Sequence, residues 1–255
     1  MIESMSVYNS TDKGIPRKLK LNGDEIHVWC ASLTQPESRS QMLLETLSVE
    51  EQMRAKRFHF EKHRKYLVIC HGILRTILGE YLGVEPARLN FCYGRNGKPE
   101  LADTFANQKI CFNISRSEGL ALYGFTCDRE LGVDIEYIRV LPEMDQIVER
   151  FFSVGEKSIF HALPRSKKKE AFFRCWTQKE AFLKANGYGL SRPLNTFDVS
   201  FVEGEPAKIL RIEGDSKAAS QWFIQDLKPA NQFAAAFAAK GRNAQIHYWR
   251  WPNVQ

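Results

Sequence analysis

A sparse internal repeat with an offset of 105 residues constrains the fold of this chain more than any other feature. Ser48-Val49 recurs as Ser153-Val154, and Leu89-Asn90 recurs as Leu194-Asn195. The same offset relates three further pairs: Glu51 and Glu156, Cys70 and Cys175, and Leu78 and Leu183. One register held across a helix start, a long helix and a strand favours an internal duplication over coincidence. We therefore predict an α+β fold of two similar α/β halves related by a pseudo-twofold axis. Each half should be a long helix packed on a small, mostly antiparallel sheet.

Local patterns divide the chain into an N-terminal half, 1–130, and a C-terminal half, 131–255, with an active site in the cleft between them. Ser48 with Glu51 three residues on is typical of a helix capping box, and we expect that helix to continue through 54–60. A buried helical stripe follows at 63–82 and ends at Gly83. Period-two and β-rich segments predict strands at 25–31, 109–115, 120–126, 131–138, 196–202, 208–212, 221–227 and 232–238, the last four in a second sheet.

Composition indicates a globular protein without membrane spans. The 255 residues are 44% hydrophobic and carry a formal charge of +6, which suits an anionic partner but is too mild to single out nucleic acid. The six cysteines are scattered and form no C-x-x-C pair, so neither a zinc cage nor a disulfide framework is indicated, and we expect most to be buried thiols. The polar N-terminus lacks the apolar segment of a secretion signal, and we expect a cytoplasmic protein. Trp249 and Trp251 should dock on the core.

The helical segment at 168–190 places three chemically distinct side chains on one face. Trp176, Glu180 and Lys184 follow one another at four-residue spacing, so a carboxylate and an ammonium lie side by side. A surface ion pair of little energetic weight is the alternative interpretation. If the two halves superpose in the 105-residue register, Arg75 corresponds to Glu180, and basic groups of one half face carboxylates of the other.

The strand at 131–138 carries two carboxylates on one face. Its alternation sets Asp134 and Glu136 opposite Val133 and Ile135. Together with Glu180 they would repel one another unless a hard divalent cation joined them, and oxygen-only ligands favour Mg²⁺ or Mn²⁺. The alternative is that Asp134 and Glu136 form only the solvent face of an antiparallel strand.

Two further segments offer ligands for phosphate. Lys98 follows Gly97 in a turn that ends at Pro99, where the backbone can approach a ligand closely. Ser115 and Arg116 lie near a hairpin turn, and a guanidinium suits bidentate phosphate binding. With Lys184, they predict a site for a polyphosphate ligand.

These segments form a recognisable series. In chain order they are GKP at 97–99, FNISRS at 112–117, GVDIE at 132–136, FFS at 151–153 and WTQKEAFLKANGYGL at 176–190. The series resembles the 4′-phosphopantetheinyl transferase superfamily, in particular its two-domain type that activates peptide and polyketide synthetases, such as the surfactin synthetase. The resemblance covers roughly residues 48–199, and the pairing of G-[VI]-D-x-E with W-x-x-K-E-[AS]-x-x-K is highly specific.

The resemblance implies transfer of 4′-phosphopantetheine from coenzyme A to a serine of an apo acyl or peptidyl carrier protein, which releases adenosine 3′,5′-bisphosphate. It assigns Asp134, Glu136 and Glu180 to Mg²⁺, and Lys184 to the phosphate and leaving group. It further implies that Gly97, Lys98 and Pro99 line the adenosine end, and that Ser115 and Arg116 hold the 3′-phosphate. The family usually has histidine where this chain has Arg116. Because arginine stays charged at any working pH, we expect 3′-phosphate recognition to survive.

Several expectations accompany this interpretation. Glu180 is the candidate general base, since it lies beside both metal and lysine. The basic runs at 54–65 and 165–169 are candidate docking surfaces for an acidic carrier protein. Charge reversal at Lys167, Lys168 and Lys169 should raise the KM for the carrier more than for coenzyme A. Two halves on one chain favour a monomer. A non-catalytic module that binds coenzyme A or a carrier protein, or a nucleic-acid binder, are the alternatives. The carrier and its pathway are not determined by the sequence.

Overall fold

The computed structural model describes residues 7–8, 19–94, 97–187, 192–215, 217–241 and 244–251, with the backbone alone at 7–8 and 106–108. The predicted segment 188–190 lies outside the described residues. The elements of the first half are β1 (Val7–Tyr8), β2 (Glu25–Ser32), α1 (Glu37–Glu45), α2 (Val49–Lys56), α3 (Glu61–Leu82), β3 (Phe91–Tyr93), β4 (Pro99–Leu101), β5 (Ile110–Ser117) and β6 (Leu120–Cys127). Those of the second half are β7 (Leu131–Tyr137), α4 (Met144–Phe151), α5 (Val154–Ala162), α6 (Arg165–Ala185), β8 (Phe197–Val199), β9 (Ile209–Ile212), β10 (Trp222–Leu227), β11 (Phe233–Lys240) and β12 (Gln245–Arg250).

The first sheet has the strand order β1-β12-β2-β6-β5 and packs against α3. Its centre is antiparallel, with β5 and β6 forming the predicted hairpin and β2 pairing with β6. Ile73 and Ile77 of α3 pack with Trp29, Tyr123 and Phe125 in the core between helix and sheet. Gly83 ends α3 in the left-handed conformation, with a φ of 66°, as the sequence predicts.

The second sheet is antiparallel, with the order β10-β11-β7, and α6 packs on it. Phe172 and Phe182 of α6 belong to the same core as Ala236 and Ala238 of β11. The small side chains of β11 let the helix lie close to the sheet. The α+β class and the arrangement of a long helix on a small sheet are confirmed, but the assignment of four later strands to one sheet is wrong, because β8 and β9 form a separate two-stranded ribbon.

The C-terminal strand β12 crosses from the second half into the first sheet. It lies between β1 and β2, parallel to both, and Trp249 pairs in register with Trp29. The two indole rings stack with centroids 5.2 Å apart, and Trp251 is buried beyond the strand. Both tryptophans therefore dock on the core, as the sequence predicts, Trp249 as part of the sheet and Trp251 just beyond it. The boundary between residues 130 and 131 stays a prediction.

The internal repeat is visible as two matching helix starts. Ser48 and Ser153 each cap a helix, and Glu51 and Glu156 complete the two capping boxes. Each glutamate also meets a buried cation of the long helix that follows: Arg75 Nε lies 2.7 Å from Glu51 Oε2, and Lys179 Nζ lies 2.7 Å from Glu156 Oε2.

The two cations share further partners, which are also related by the repeat. Arg75 donates to the carbonyl of Leu89 and Lys179 to that of Leu194. The predicted correspondence of Arg75 with Glu180 is therefore wrong, because the counterpart of Arg75 is Lys179, one residue earlier. Arg75 is a buried structural residue and does not face the carboxylates.

Two smaller expectations also need correction. Helix α2 ends at Lys56, so the helix does not continue through 54–60. Only Cys70 and Cys175 are buried, while Cys92 is exposed, so most of the six cysteines are not buried thiols. Within the described part of the chain, no helix is long and apolar enough to cross a membrane.

Candidate active site

The two carboxylates of β7 are positioned by pairing with β11. Asp134 pairs with Ala236 and Glu136 with Ala234 in an antiparallel register. Val133 and Ile135 point the other way into a buried cluster between the two sheets, as the alternation predicts. Asp134 is itself buried at 4% exposure, so the alternative of a plain solvent face is wrong for this residue.

The other edge of β7 is joined to β5 by side chains. Residues 113, 115 and 117 of β5 present polar side chains to β7, and each accepts a hydrogen bond from a backbone N–H of β7. The bonds run from Val133 N to Asn113 Oδ1 (2.9 Å), from Ile135 N to Ser115 Oγ (3.4 Å) and from Tyr137 N to Ser117 Oγ (3.1 Å). This ladder links the two sheets and holds the strand that carries the carboxylates. None of the sequence patterns above predicts this ladder, although the spacing N-x-S-x-S at 113–117 is its signal.

Lys184, Asp134 and Ser115 form a connected group where α6 meets β7. Lys184 Nζ donates to Asp134 Oδ1 at 2.5 Å and to Ser115 Oγ at 3.0 Å, and Ser115 Oγ donates to the same carboxylate oxygen at 2.9 Å. Among the described residues, the ammonium of Lys184 therefore pairs with Asp134 of β7 in a half-buried network, and not with Glu180 of its own helix as the four-residue spacing predicts. Asp134 Oδ2 is buried and accepts no hydrogen bond within the described structure.

Glu136 and Glu180 complete the acidic group. Burial raises the pKa of Glu180, the charges of Asp134 and Glu136 raise it further, and Lys184 opposes them. Burial and Asp134 likewise raise the pKa of Glu136, against the hydrogen bond it accepts from Ser117 at 3.0 Å. The charges of Asp134, Glu136 and Glu180 thus affect one another. Even so, these three carboxylates are not among the described groups whose ligand atoms all lie within 4.8 Å of one another.

The glycine of the GVDIE segment allows this contact between strand and helix. A Cβ at Gly132 would lie far inside van der Waals contact with the carbonyl oxygen of Ala181 and the nitrogen of Ala185. Gly132 therefore lets β7 touch the backbone of α6, which brings Asp134 towards Glu180 and Lys184.

Trp176, on the same helical face, has a packing role. Its ring stacks on Phe172 at 6.0 Å between centroids and meets the edge of Phe151 at 5.9 Å. Lys179 is fully buried and donates to main-chain carbonyls of Leu194 and Phe197. Lys179 has no predicted role, but in the structure it anchors the turn of α6 that carries Glu180.

The predicted phosphate ligands of 97–99 lie at the end of the same helix. Lys98 Nζ donates to the carbonyls of Leu131 (3.0 Å), Lys184 (2.9 Å) and Ala185 (3.3 Å), and burial lowers its pKa. Gly97 takes a φ of 75°, which suits its turn. The structure thus brings Lys98 to the α6–β7 junction, where its ammonium is engaged by the protein itself.

Ser115 and Arg116 are not brought together. Successive residues of β5 face opposite sides, so Ser115 points to Asp134 while the Arg116 side chain is exposed. In the basic run 165–169, Lys167 pairs with Glu203 at 2.6 Å and Lys168 lies over the ring of Phe160. The roles predicted for these groups in ligand or carrier binding remain predictions.

Family models of known proteins match the sequence of both halves of the chain. A family model described as the 4′-phosphopantetheinyl transferase superfamily matches residues 130–238, and one described as 4′-phosphopantetheinyl transferase, N-terminal, matches residues 34–123. The 4′-phosphopantetheinyl transferase HetI of Nostoc is 40% identical over 92% of this chain and 96% of its own length. This chain belongs to the 4′-phosphopantetheinyl transferase superfamily. The two matches make it a member of the two-domain type.

More distant members of the superfamily align over less of the chain. The transferase Sfp of Bacillus subtilis is 26% identical over 64% of this chain and 70% of its own. Among solved structures, the holo-[acyl-carrier-protein] synthase of Thermotoga maritima is 21% identical, covers 44% of this chain and 63% of its own, and has a TM-score of 0.37.

Proposed function

We propose that this member of the superfamily transfers the 4′-phosphopantetheine group of coenzyme A to a serine of an apo acyl or peptidyl carrier protein, and releases adenosine 3′,5′-bisphosphate. The observation that carries the proposal is the meeting of Asp134, Glu136, Glu180 and Lys184 at the contact of β7 with α6. The acidic residues lie in the two segments, GVDIE and WTQKEAFLK, on which the resemblance to the family rests.

The chemistry of the donor set fits a divalent cation, although the three carboxylates would have to draw closer together to share one ion. Asp134 Oδ2 is buried without a hydrogen-bond donor in the described structure, and burial, reinforced by repulsion among the carboxylates, raises the pKa values of Glu136 and Glu180. Both features are expected where a hard cation is the missing partner. Asp134, Glu136 and Glu180 would hold Mg²⁺, or Mn²⁺ in its place, and the ion would neutralise charge on the pyrophosphate of coenzyme A.

Glu180 and Lys184 would handle the proton and the leaving group. The carrier serine loses its hydroxyl proton to Glu180 as its Oγ forms a bond to the β-phosphorus of coenzyme A, and the bond from that phosphorus to the adenosine bisphosphate breaks. Glu180 is the candidate base because it is the carboxylate that lies on the same helical face as Lys184 and next to the other proposed metal ligands. Lys184, whose ammonium already lies among the acidic groups, would stabilise the charge on the leaving bisphosphate.

The remaining ligands would hold the two ends of the nucleotide. Arg116 is exposed and would bind the 3′-phosphate, with Ser115 beside it in sequence. Gly97 and Pro99 would line the adenosine end. Lys98 would act there by fixing the end of α6, since three carbonyls already accept from its ammonium. We also propose that the protein is a cytoplasmic monomer, which light scattering and cell fractionation would test.

Intact-mass spectrometry tests this function directly. Apo acyl carrier protein and an apo peptidyl carrier domain are each incubated with the protein, coenzyme A and Mg²⁺, with EDTA as the control. We expect a gain of about 340 Da, the mass of one phosphopantetheine group, on at least one carrier and only with free metal. No gain on either carrier would favour the alternative, a non-catalytic module that binds coenzyme A or a carrier protein.

A further inference from the structure

A second group of ligand-type side chains lies in the first sheet, away from the acidic site. His27 of β2 and His247 of β12 are directly paired in the parallel register, and Glu25 lies two residues before His27 on the same face. One ligand atom from each of the three lies within 4.8 Å of the others, the only such group among the described His, Cys, Asp and Glu residues.

The spacing of these atoms suits a tetrahedral metal. His27 Nε2 lies 3.3 Å from Glu25 Oε2, and His247 Nε2 lies 3.8 Å from Glu25 Oε1. Metal–ligand bonds of the length that zinc makes to nitrogen and oxygen place two ligands of a tetrahedron about 3.3 Å apart. His27 is buried, and the Nε2 atom of His247 is buried as well, although the His247 side chain as a whole is 27% exposed, so the site is largely enclosed and a bound water would complete the coordination.

Tyr81 of α3 orients the buried histidine. Its hydroxyl lies 2.7 Å from His27 Nδ1 and accepts a hydrogen bond from Trp29 Nε1 at 3.2 Å. A ligating histidine characteristically donates its second ring N–H to an oxygen, which fixes the ring and aims the other nitrogen at the metal. Here the Nδ1–H can be donated to Tyr81 Oη, which leaves the Nε2 lone pair directed towards Glu25.

We propose that Glu25, His27 and His247 form a zinc site that fastens the C-terminal strand β12 to β2. Two imidazoles select zinc and similar transition metals over Mg²⁺, so this site differs in chemistry from the all-oxygen acidic site. The ligands come from opposite ends of the chain, and bound zinc would hold β12 in the first sheet. The proposal does not depend on the transferase reaction.

Isothermal titration of the metal-free protein with ZnSO₄, in excess Mg²⁺ to occupy the acidic site, tests the proposal. We expect one zinc ion per chain in the wild type and a loss of affinity of at least about tenfold in His247→Ala and in Glu25→Gln. Tyr81→Phe should weaken binding by about tenfold or more through loss of the orienting hydroxyl. Co²⁺ should give the visible absorption of tetrahedral nitrogen and oxygen ligation in the wild type alone.

The matched control is His161→Ala. His161 Nε2 also lies 2.8 Å from a carboxylate, that of Glu149, but no third ligand joins this pair among the described residues. We expect His161→Ala to bind zinc as the wild type does, and zinc to raise the Tm of the wild type but not of His247→Ala. Absence of zinc binding in the wild type, or equal affinity in the wild type, His247→Ala and Glu25→Gln, would overturn the proposal.

Discussion

Arg75 and Lys179 bear the same relationship to the helix that precedes each of them. Each is a buried cation of a long helix, and each pairs at 2.7 Å with the carboxylate of a capping-box glutamate. The guanidinium lies over the ring of Phe91, and the ammonium over that of Phe197. One half thus uses arginine and the other lysine to lock the long helix to its neighbours. In the second half, the residue that follows the lock is Glu180.

Loss of the buried ion pair between Lys179 and Glu156 should destabilise the second half. We expect Lys179→Met to lower the free energy of unfolding by about 3–5 kcal/mol, because the carboxylate of Glu156 is then buried without its cation. Urea denaturation measures the loss. Lys167→Met on the same helix is the control, since its exposed pair with Glu203 contributes at most about 1 kcal/mol. Equal effects of the two substitutions would contradict the structural role of Lys179.

Gly132→Ala should separate β7 from α6. The added Cβ meets the backbone of α6 at Ala181 and Ala185, and backbone cannot yield as a flexible side chain does. We expect a loss of about 1–3 kcal/mol of stability and a larger loss of transfer activity, because the carboxylates and Lys184 lie across this contact. Gly155→Ala is the control: its Cβ meets only Ser153 Oγ at 3.9 Å, and alanine favours the helix. Wild-type activity of Gly132→Ala would show that the contact is not required.

The acidic group should make the metal-free protein less stable as the pH rises. Burial and the other carboxylates raise the pKa of Glu180, so the folded state binds its proton more tightly than the unfolded state does. This contribution is present below the unfolded pKa and is lost as the pH rises through the raised, folded pKa. We therefore expect Glu180→Gln to raise the Tm of the metal-free protein at neutral pH, with a gain that shrinks at acidic pH.

Thermal unfolding between about pH 4 and about pH 8, with and without Mg²⁺, measures this effect. Mg²⁺ should raise the Tm of the wild type at neutral pH and that of Glu180→Gln by less. A gain in the Tm of Glu180→Gln that is independent of pH would show that Glu180 is not part of a strained acidic site. An equal rise of Tm with Mg²⁺ in the wild type and the variant would show the same.

Arg116 should decide the preference for coenzyme A over dephospho-coenzyme A. A guanidinium bound to the 3′-phosphate makes charge-assisted hydrogen bonds, whose loss reduces binding by about ten- to a hundredfold. We expect Arg116→Ala to lower the ratio of kcat/KM for the two substrates by that factor, whereas the exposed Arg64→Ala leaves it unchanged. An unchanged ratio in Arg116→Ala would remove Arg116 from the site.

The sequence predicts those parts of the fold that depend on neighbouring residues. The capping boxes that begin at Ser48 and Ser153 indicate where two helices start, because a capping box is a local motif. The alternation in β7 likewise predicts the faces of Asp134 and Val133. The structural counterpart of Arg75 is Lys179, which lies one residue before the position given by the 105-residue offset. This shift depends on how each cation reaches a carboxylate of another helix, so a fixed offset in the sequence does not predict it.

The other features that the sequence does not predict are contacts between segments far apart in the chain. The insertion of β12 beside β2 pairs His247 with His27, and no local pattern specifies a partner across more than two hundred residues. Lys98 resembles a phosphate ligand in its glycine-containing turn, but in three dimensions it reaches the carbonyl of Lys184. The three acidic residues, by contrast, can be proposed from the sequence as a metal site, because their types and spacing suit a hard cation.

The role of Glu180 as general base is tested most directly by Glu180→Gln, with phosphopantetheine transfer and coenzyme A binding measured on the same preparation. Transfer is followed in a single turnover by the mass of an apo carrier protein, and coenzyme A binding by titration in Mg²⁺. The control is Glu170→Gln, an exposed carboxylate on the same helix. If Glu180 is the base, its variant binds coenzyme A within a few-fold of the wild type but transfers nothing, while Glu170→Gln does both. Turnover by Glu180→Gln near that of the wild type would contradict the account.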